Sequence, residues 1–195
     1  IEFFVNDDSN PLPDLLKIAL IHYQFETIHP FLDGNGRVGR LLITLYLVSK
    51  GILKKPILYL SDFFERNRQL YYDNLMRVRT HNDISQWFKF FLTGVIETAI
   101  AGTATFDGIM QLQRNVDEKI KSLGLRSGDA RLVVERLYTR PVIDAKNISN
   151  ITGKSAVSTY KLISALEDLG ILKEITGAQR GRIYSFDDYI KIFEP

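Results

Sequence analysis

Residues 34–36 read Gly-Asn-Gly, and an apolar helical pattern from Leu41 to Val48 follows at once. Two glycines around an amide side chain make a turn of close backbone approach, and the apolar pattern behind it calls for a helix starting there. The chain is thereby committed to a loop-to-helix junction, where free backbone N–H groups and the helix dipole attract anions. Chemistry-bearing residues crowd that junction. His29 and Asp33 lie just upstream, and Arg37 and Arg40 lie on the first turns downstream. A titratable base and a carboxylate beside an anion cradle point to chemistry on phosphate, not to phosphate binding alone.

Further helices are expected around the junction. Asn10-Pro11-Leu12-Pro13 is a turn cluster, and Asp14 is placed to cap a helix over roughly 14–26, with Leu15, Ile18, Ile21, His22 and Phe25 at helical spacing. The junction helix runs from Asn35 to about Lys50 and closes at Gly51. A third helix, capped by Ser61 or Asp62, is predicted to reach Arg79. A fourth, capped by Asp83, carries Trp87, Phe88, Phe91 and Leu92 and continues to about Lys121. No stretch before residue 125 alternates with a strand period. From 129 onward, three short helical patterns (130–138, 145–151 and 155–169) precede two strand-like segments, 170–175 and 182–186, around a Gly177/Gly181 turn. Three helices and a hairpin, in that order, read as a winged helix-turn-helix. The expected fold class is mainly α, with a helical domain over 1–125 and a small α+β domain over 126–195.

Bulk properties exclude several classes. A chain of 195 residues, 45% hydrophobic and 25% charged, can hold one good core or one domain with a small satellite. The net charge of +2 is too small to imply a polyanionic partner by itself. Cysteine is absent, which rules out disulfides and thiolate metal sites and suits a cytoplasmic protein. No apolar run approaches the roughly 20 residues that a bilayer requires, and no secretory leader is visible. The sequence opens at Ile1 without methionine and reads as a fragment whose natural N-terminus lies upstream.

Residues 29–40, His-Pro-Phe-Leu-Asp-Gly-Asn-Gly-Arg-Val-Gly-Arg, resemble the Fic-family signature His-Pro-Phe-x-(Asp/Glu)-Gly-Asn-Gly-Arg-x-x-Arg at every fixed position. Residues 19–28 also resemble the helix that leads into that loop. The resemblance implies a helical core that transfers AMP from ATP to a Ser, Thr or Tyr hydroxyl of a target protein, with release of pyrophosphate. The residue types suit those steps. An alcohol attacks phosphorus poorly until a base takes its proton, which assigns His29 as general base. Asp33 suits Mg²⁺, although Asp before Gly-Asn also reads as a helix cap. The N–H groups of Gly34, Asn35 and Gly36 can approach phosphate closely. By resemblance, the Asn35 side chain helps hold the α-phosphate. Arg37 and Arg40 share a helix face and suit the β- and γ-phosphates. Tyr71, Tyr72 and Arg79 resemble the segment lining the adenine and ribose side, while Leu70, Tyr71, Leu75 and Val78 read equally well as a core stripe. Ile28 and Phe31 are expected to anchor the loop in the core, and His22 and His81 to be structural.

Two parts of the family pattern are missing. Nothing before Asp14 supplies the flap hairpin that aligns a target side chain, and the nearest match to the inhibitory helix, Ser61 to Arg66, lies inside an expected core helix. An inhibitor is therefore expected upstream of Ile1 or on another chain. In the C-terminal module, Lys154 to Lys161 open the expected recognition helix, and Arg180 and Arg182 sit at the wing tip. Eleven basic and nine acidic residues from 126 on make a weak footprint for DNA. Docking of a protein target, homodimerisation and DNA binding stay open for this module. Two rival functions also stand: a DNA-binding regulator whose Fic core senses nucleotide, and a Fic enzyme that transfers or removes another phosphate-containing group.

Overall fold

The computed structural model of the chain describes residues 1–7 and 9–194. Its elements in order are α1 (Glu2–Val5), α2 (Asp14–Ile28), α3 (Asn35–Ser49), α4 (Leu60–Arg66), α5 (Arg68–His81) and α6 (Ile84–Lys121), then α7 (Ser127–Leu137), β1 (Val142–Asp144), α8 (Ala145–Thr152), α9 (Ala156–Asp168), β2 (Lys173–Glu174), β3 (Ile183–Ser185) and α10 (Asp187–Ile190). The architecture is mainly helical with one small sheet, as the sequence led us to expect. Two compact units divide the chain, Ile1–Thr103 and Ala104–Pro195. That division falls inside α6, whereas residue 125 lies just beyond its end. The last turns of α6 contribute Val116 and Ile120 to the core of the second unit.

In the first unit α2 and α3 pack together around Ile18, Ile21, Ile43 and Leu47, and Trp87 and Phe91 of α6 complete the core. The Trp87 indole N–H donates to the Ala19 carbonyl over 2.9 Å, so the aromatic that fills the centre is also satisfied there. Pro13, not Asp14, occupies the N-cap of α2. The Asp14 carboxylate instead accepts the Tyr46 hydroxyl at 2.7 Å, tying α2 to α3. The single helix expected from residue 61 to Arg79 is broken at Asn67, whose backbone leaves helical geometry (φ −111°, ψ 32°). Its side-chain amide donates to the Phe63 carbonyl at 2.9 Å, the local competition with the helix ladder that asparagine offers. The α4 helix begins at Leu60 with no side-chain cap from Ser61 or Asp62.

The second unit buries Val133, Leu137, Ile148, Leu162, Leu166, Tyr184 and Phe186. Asp144 caps α8 through the Asn147 N–H, and Ser155 caps α9 through the Ser158 N–H. The antiparallel sheet has the order β1-β3-β2, with Ile143 and Glu174 both opposite Tyr184. The β2–β3 hairpin is the expected one. Strand β1 was not expected, since three residues behind Pro141 carry too little period to be read.

One close contact sets the α2–α3 distance. A Cβ on Gly39 would lie 2.5 Å from Glu26 Oε1, 3.1 Å from Phe25 Cδ1 and 3.2 Å from His22 Cε1. Gly39→Ala is therefore expected to lower stability by about 1–3 kcal/mol through overpacking. Urea unfolding measures this, and an unchanged midpoint would contradict the close approach.

Candidate active site

Pro30 ends α2, because the residue before a proline is disfavoured in the right-handed helical region. His29 accordingly takes the left-handed conformation (φ 50°, ψ 58°) as the C-cap of α2, with its N–H donated to the Phe25 carbonyl at 2.9 Å. A non-glycine residue in that region is uncommon and costs backbone energy. The loop then swings outward. Ile28 and Phe31 are about half exposed and Leu32 fully so, which corrects the expectation that Ile28 and Phe31 anchor the loop in the core. Phe31 keeps one ring contact, to Phe25 at 6.2 Å.

The loop is held from within by Asn35. Its side-chain oxygen accepts the Phe31 N–H at 2.8 Å, and its amide donates back to the Phe31 carbonyl at 2.5 Å. Gly34, at φ 82°, is the N-cap of α3. The first ladder bond runs from the Val38 N–H to the Gly34 carbonyl at 3.0 Å, so the N–H groups of Asn35, Gly36 and Arg37 precede the ladder. Both guanidinium groups fold back over this end. A Cβ on Gly34 would lie 3.3 Å from Arg37 Nη2, and one on Gly36 would lie 3.1 Å from Arg40 Nη1. Asp33 accepts the Gly34 N–H at 2.7 Å and pairs with Arg37 at 3.2 Å, both side chains being largely exposed.

A cleft of about 360 Å³ joins these groups. His29, Asp33, Gly34, Asn35, Gly36, Arg37 and Arg40 line one side, and Phe64, Glu65, Arg68, Tyr71 and Tyr72 line the other. Eight of the anticipated residues thus share one cleft with Asn35, whose side chain is committed to the loop. Arg79 is absent from the lining: it lies two turns past Tyr72 on α5, about 10 Å along the axis. Tyr71 is buried, and Tyr72 is half exposed with its ring edge-on to Tyr71 at 5.3 Å. Glu65 and Arg68 form an ion pair at 3.8 Å; Glu65 entered the sequence reading only within the rejected match to the inhibitory helix, and Arg68 was not singled out. Nothing in their spacing separates them from solvated helix charges.

Behind the cleft sits His22, fully buried and stacked between Phe64 and Trp87. Its Nδ1 lies 3.1 Å from the Gly39 carbonyl, which only accepts, so Nδ1 carries the proton. The Tyr71 hydroxyl then donates to Nε2 over 3.0 Å. Burial lowers the His22 pKa to about 4, while burial raises that of the Tyr71 phenol. Glu26, whose side chain is 10% exposed, lies nearby on the same helix. Its Oε2 lies 4.0 Å from His29 Nδ1, its Oε1 has no hydrogen-bond partner among the described residues, and burial pushes its carboxyl up against the opposing pull of His29 and Arg40. No group of three or more His, Asp or Glu side chains able to hold a metal exists among the described residues.

This geometry coincides with the segment that can be compared with known proteins. Residues 2–47 match the model of the Fic/DOC family. The Fic-matching segment thus ends within α3 and includes the whole loop. A probable protein adenylyltransferase of Aquifex aeolicus (strain VF5) is 27% identical over 143 residues, covering 63% of this chain and 43% of that protein. Protein adenylyltransferase fic-1 of Caenorhabditis elegans is 28% identical over 144 residues, covering 73% of this chain and 25% of that protein. The chain therefore spans less than half the length of these curated relatives. A solved Fic family protein from Desulfovibrio desulfuricans G20 superposes with a TM-score of 0.48 at 19% identity, over 95% of this chain and 52% of that one. No helix among the described residues is long and apolar enough to cross a membrane.

The His22 environment makes stability depend on pH with a definite sign. Its folded pKa is depressed, so the unfolded chain takes up the proton first as pH falls below about 6.5, and stability is lost progressively down to about pH 4. Urea unfolding at pH 5 is expected to show about 2 kcal/mol less stability from this group than at pH 7. The raised carboxyl of Glu26 acts in the opposite sense. Comparison with His22→Gln isolates the histidine, and equal slopes in both proteins would contradict a buried neutral imidazole.

Proposed function

We propose that the protein is a Fic-type adenylyltransferase that moves AMP from ATP to a hydroxyl of a target protein. The observation that carries this reading is the placement of His29 at the mouth of the anion cradle formed by the start of α3, in one cleft with Arg37 and Arg40. His29 takes the hydroxyl proton as the oxygen attacks the α-phosphorus, and pyrophosphate leaves. The N–H groups of Asn35 and Gly36 and the two guanidinium groups hold the phosphates, joined by the Gly34 N–H once Asp33 turns from it to the metal. Tyr72, with Tyr71 behind it, offers an aromatic face for the base.

Asp33 is the carboxylate on the cleft suited to Mg²⁺, an ion commonly held by one or two carboxylates together with substrate phosphates. The Asp33 side chain is largely exposed at the cleft, where substrate phosphates and water would complete the shell of such an ion. When bound, the ion neutralises charge developing on the leaving pyrophosphate.

The second unit, with the order α7, β1, α8, α9, β2, β3, fits a winged helix. Its α9 presents Val157 and Tyr160 to solvent, and Arg180 of the β2–β3 turn is exposed as well. This surface suits docking of the protein target, and a specific DNA complex retained in a His29→Ala variant would instead favour the regulator reading.

Parallel labelling with α- and γ-labelled ATP in cognate lysate tests the proposal. His29-dependent α-label on protein without γ-label is expected, and γ-label would mean phosphoryl transfer. His29→Ala is expected to abolish transfer, at least about 100-fold, while leaving ATP affinity within a few-fold. Asp33→Ala is expected to weaken Mg²⁺-dependent ATP binding, and an unchanged metal dependence, read by calorimetry, would remove Asp33 from that role.

A further inference from the structure

We propose that Glu26 is a positioning residue for His29, its carboxylate holding the Nδ1 edge of the imidazole so that Nε2 faces the cleft and receives the proton. This rests on the reading of His29 as general base. Glu26 lies one turn before His29 on α2, with Oε2 4.0 Å from Nδ1; its side chain is 10% exposed, against 61% for the imidazole. The carboxylate thus faces the Nδ1 edge from beyond hydrogen-bond distance, and the imidazole as a whole is largely exposed. Apo contacts of this kind commonly tighten in the reactive complex.

No hydrogen bond to another side chain engages the carboxylate among the described residues. Its Oε1 has no hydrogen-bond partner among the described residues, a costly state for a buried oxygen. The groups facing it are His22 and His29 on its own helix, Arg40 on α3 and Tyr71 on α5. Both His22 nitrogens are occupied, by the Gly39 carbonyl and the Tyr71 hydroxyl, which spends that hydroxyl as well. Among the described residues the His29 imidazole is the basic side chain within 4.0 Å of Glu26. Gly39 keeps the space open, since a Cβ there would lie 2.5 Å from Oε1.

The backbone fixes only where the ring begins. His29 Cα is held by the left-handed cap and its bond to Phe25, but the side-chain torsions need a further restraint. A carboxylate at Nδ1 keeps the proton on that nitrogen and leaves the Nε2 lone pair free. In the transfer step the target O–H bond breaks and Nε2–H forms, while the oxygen–phosphorus bond forms and the bond to pyrophosphate breaks. The Glu26 carboxylate offsets the imidazolium charge, as an orienting carboxylate does in a catalytic triad.

The test compares the full chain with Glu26→Gln and Glu26→Leu. Nitrogen-15 NMR of the His29 ring, assigned by loss of its signals in His29→Ala, is expected to show mainly the Nδ1–H tautomer in the parent and mainly Nε2–H in Glu26→Leu. Turnover of labelled AMP transfer is expected to fall at least about 10-fold in both variants, with KM for ATP within twofold and the unfolding midpoint unchanged or raised. An identical tautomer balance in all proteins, or full turnover in both variants, would overturn the proposal. Should the parent transfer no AMP, the tautomer comparison still decides whether Glu26 orients His29. Failure of the transferase reading is thereby kept distinct from failure of this one.

Discussion

A histidine with no contact with water gives up its solvation, and the core bears that cost only because both ring nitrogens are paired. At His22 the two partners come from different helices, the Gly39 carbonyl on α3 and the Tyr71 hydroxyl on α5. Each bond fixes a rotation as well as a distance. Gly39 must turn its carbonyl toward α2, which sets where the first turns of α3 point, and with them Arg37, Arg40 and the free N–H groups. Tyr71 must turn inward, which leaves its neighbour Tyr72 facing the cleft. The functional loop is thus suspended between two elements whose phases are set by one neutral imidazole.

The same pinning explains why small residues recur along α3. Gly36 and Gly39 stand three apart, the first beneath the Arg40 guanidinium and the second against Glu26 and His22. One lets a cation lie down over the helix start, and the other lets two helices meet at a carboxylate. A larger residue at either place would move charge, not only volume. Burial beside these contacts also keeps Glu26 from behaving as a surface acid.

Much of this was legible because it is local. The junction at residues 34–36, the helices on either side, the cap at Asp83 and the β2–β3 hairpin all follow from spacing and turn chemistry within a few residues. What escaped reading depends on partners distant in sequence or on very short segments. Strand β1 is three residues long and exists because β3 pairs with it. The break at Asn67 is a competition between one amide and a helix ladder that the apolar pattern hides. Glu26 looked like any charge on an amphipathic helix until Gly39 was seen against it. Asn35 was read as a phosphate ligand by resemblance, and its side chain turns out to hold the loop, because Phe31 four residues earlier offers it both a donor and an acceptor.

That last feature bears on the thermodynamics of ligand capture. A loop already stapled by its own asparagine has surrendered its conformational freedom during folding, before any anion arrives. Under the proposed function, an incoming phosphate group would meet N–H groups and guanidinium forks that already stand in place, with little chain entropy left to lose on association. On the same reading, discrimination between nucleotides would shift away from the loop toward the far wall of the cleft, lined by Tyr72 and the Glu65–Arg68 pair.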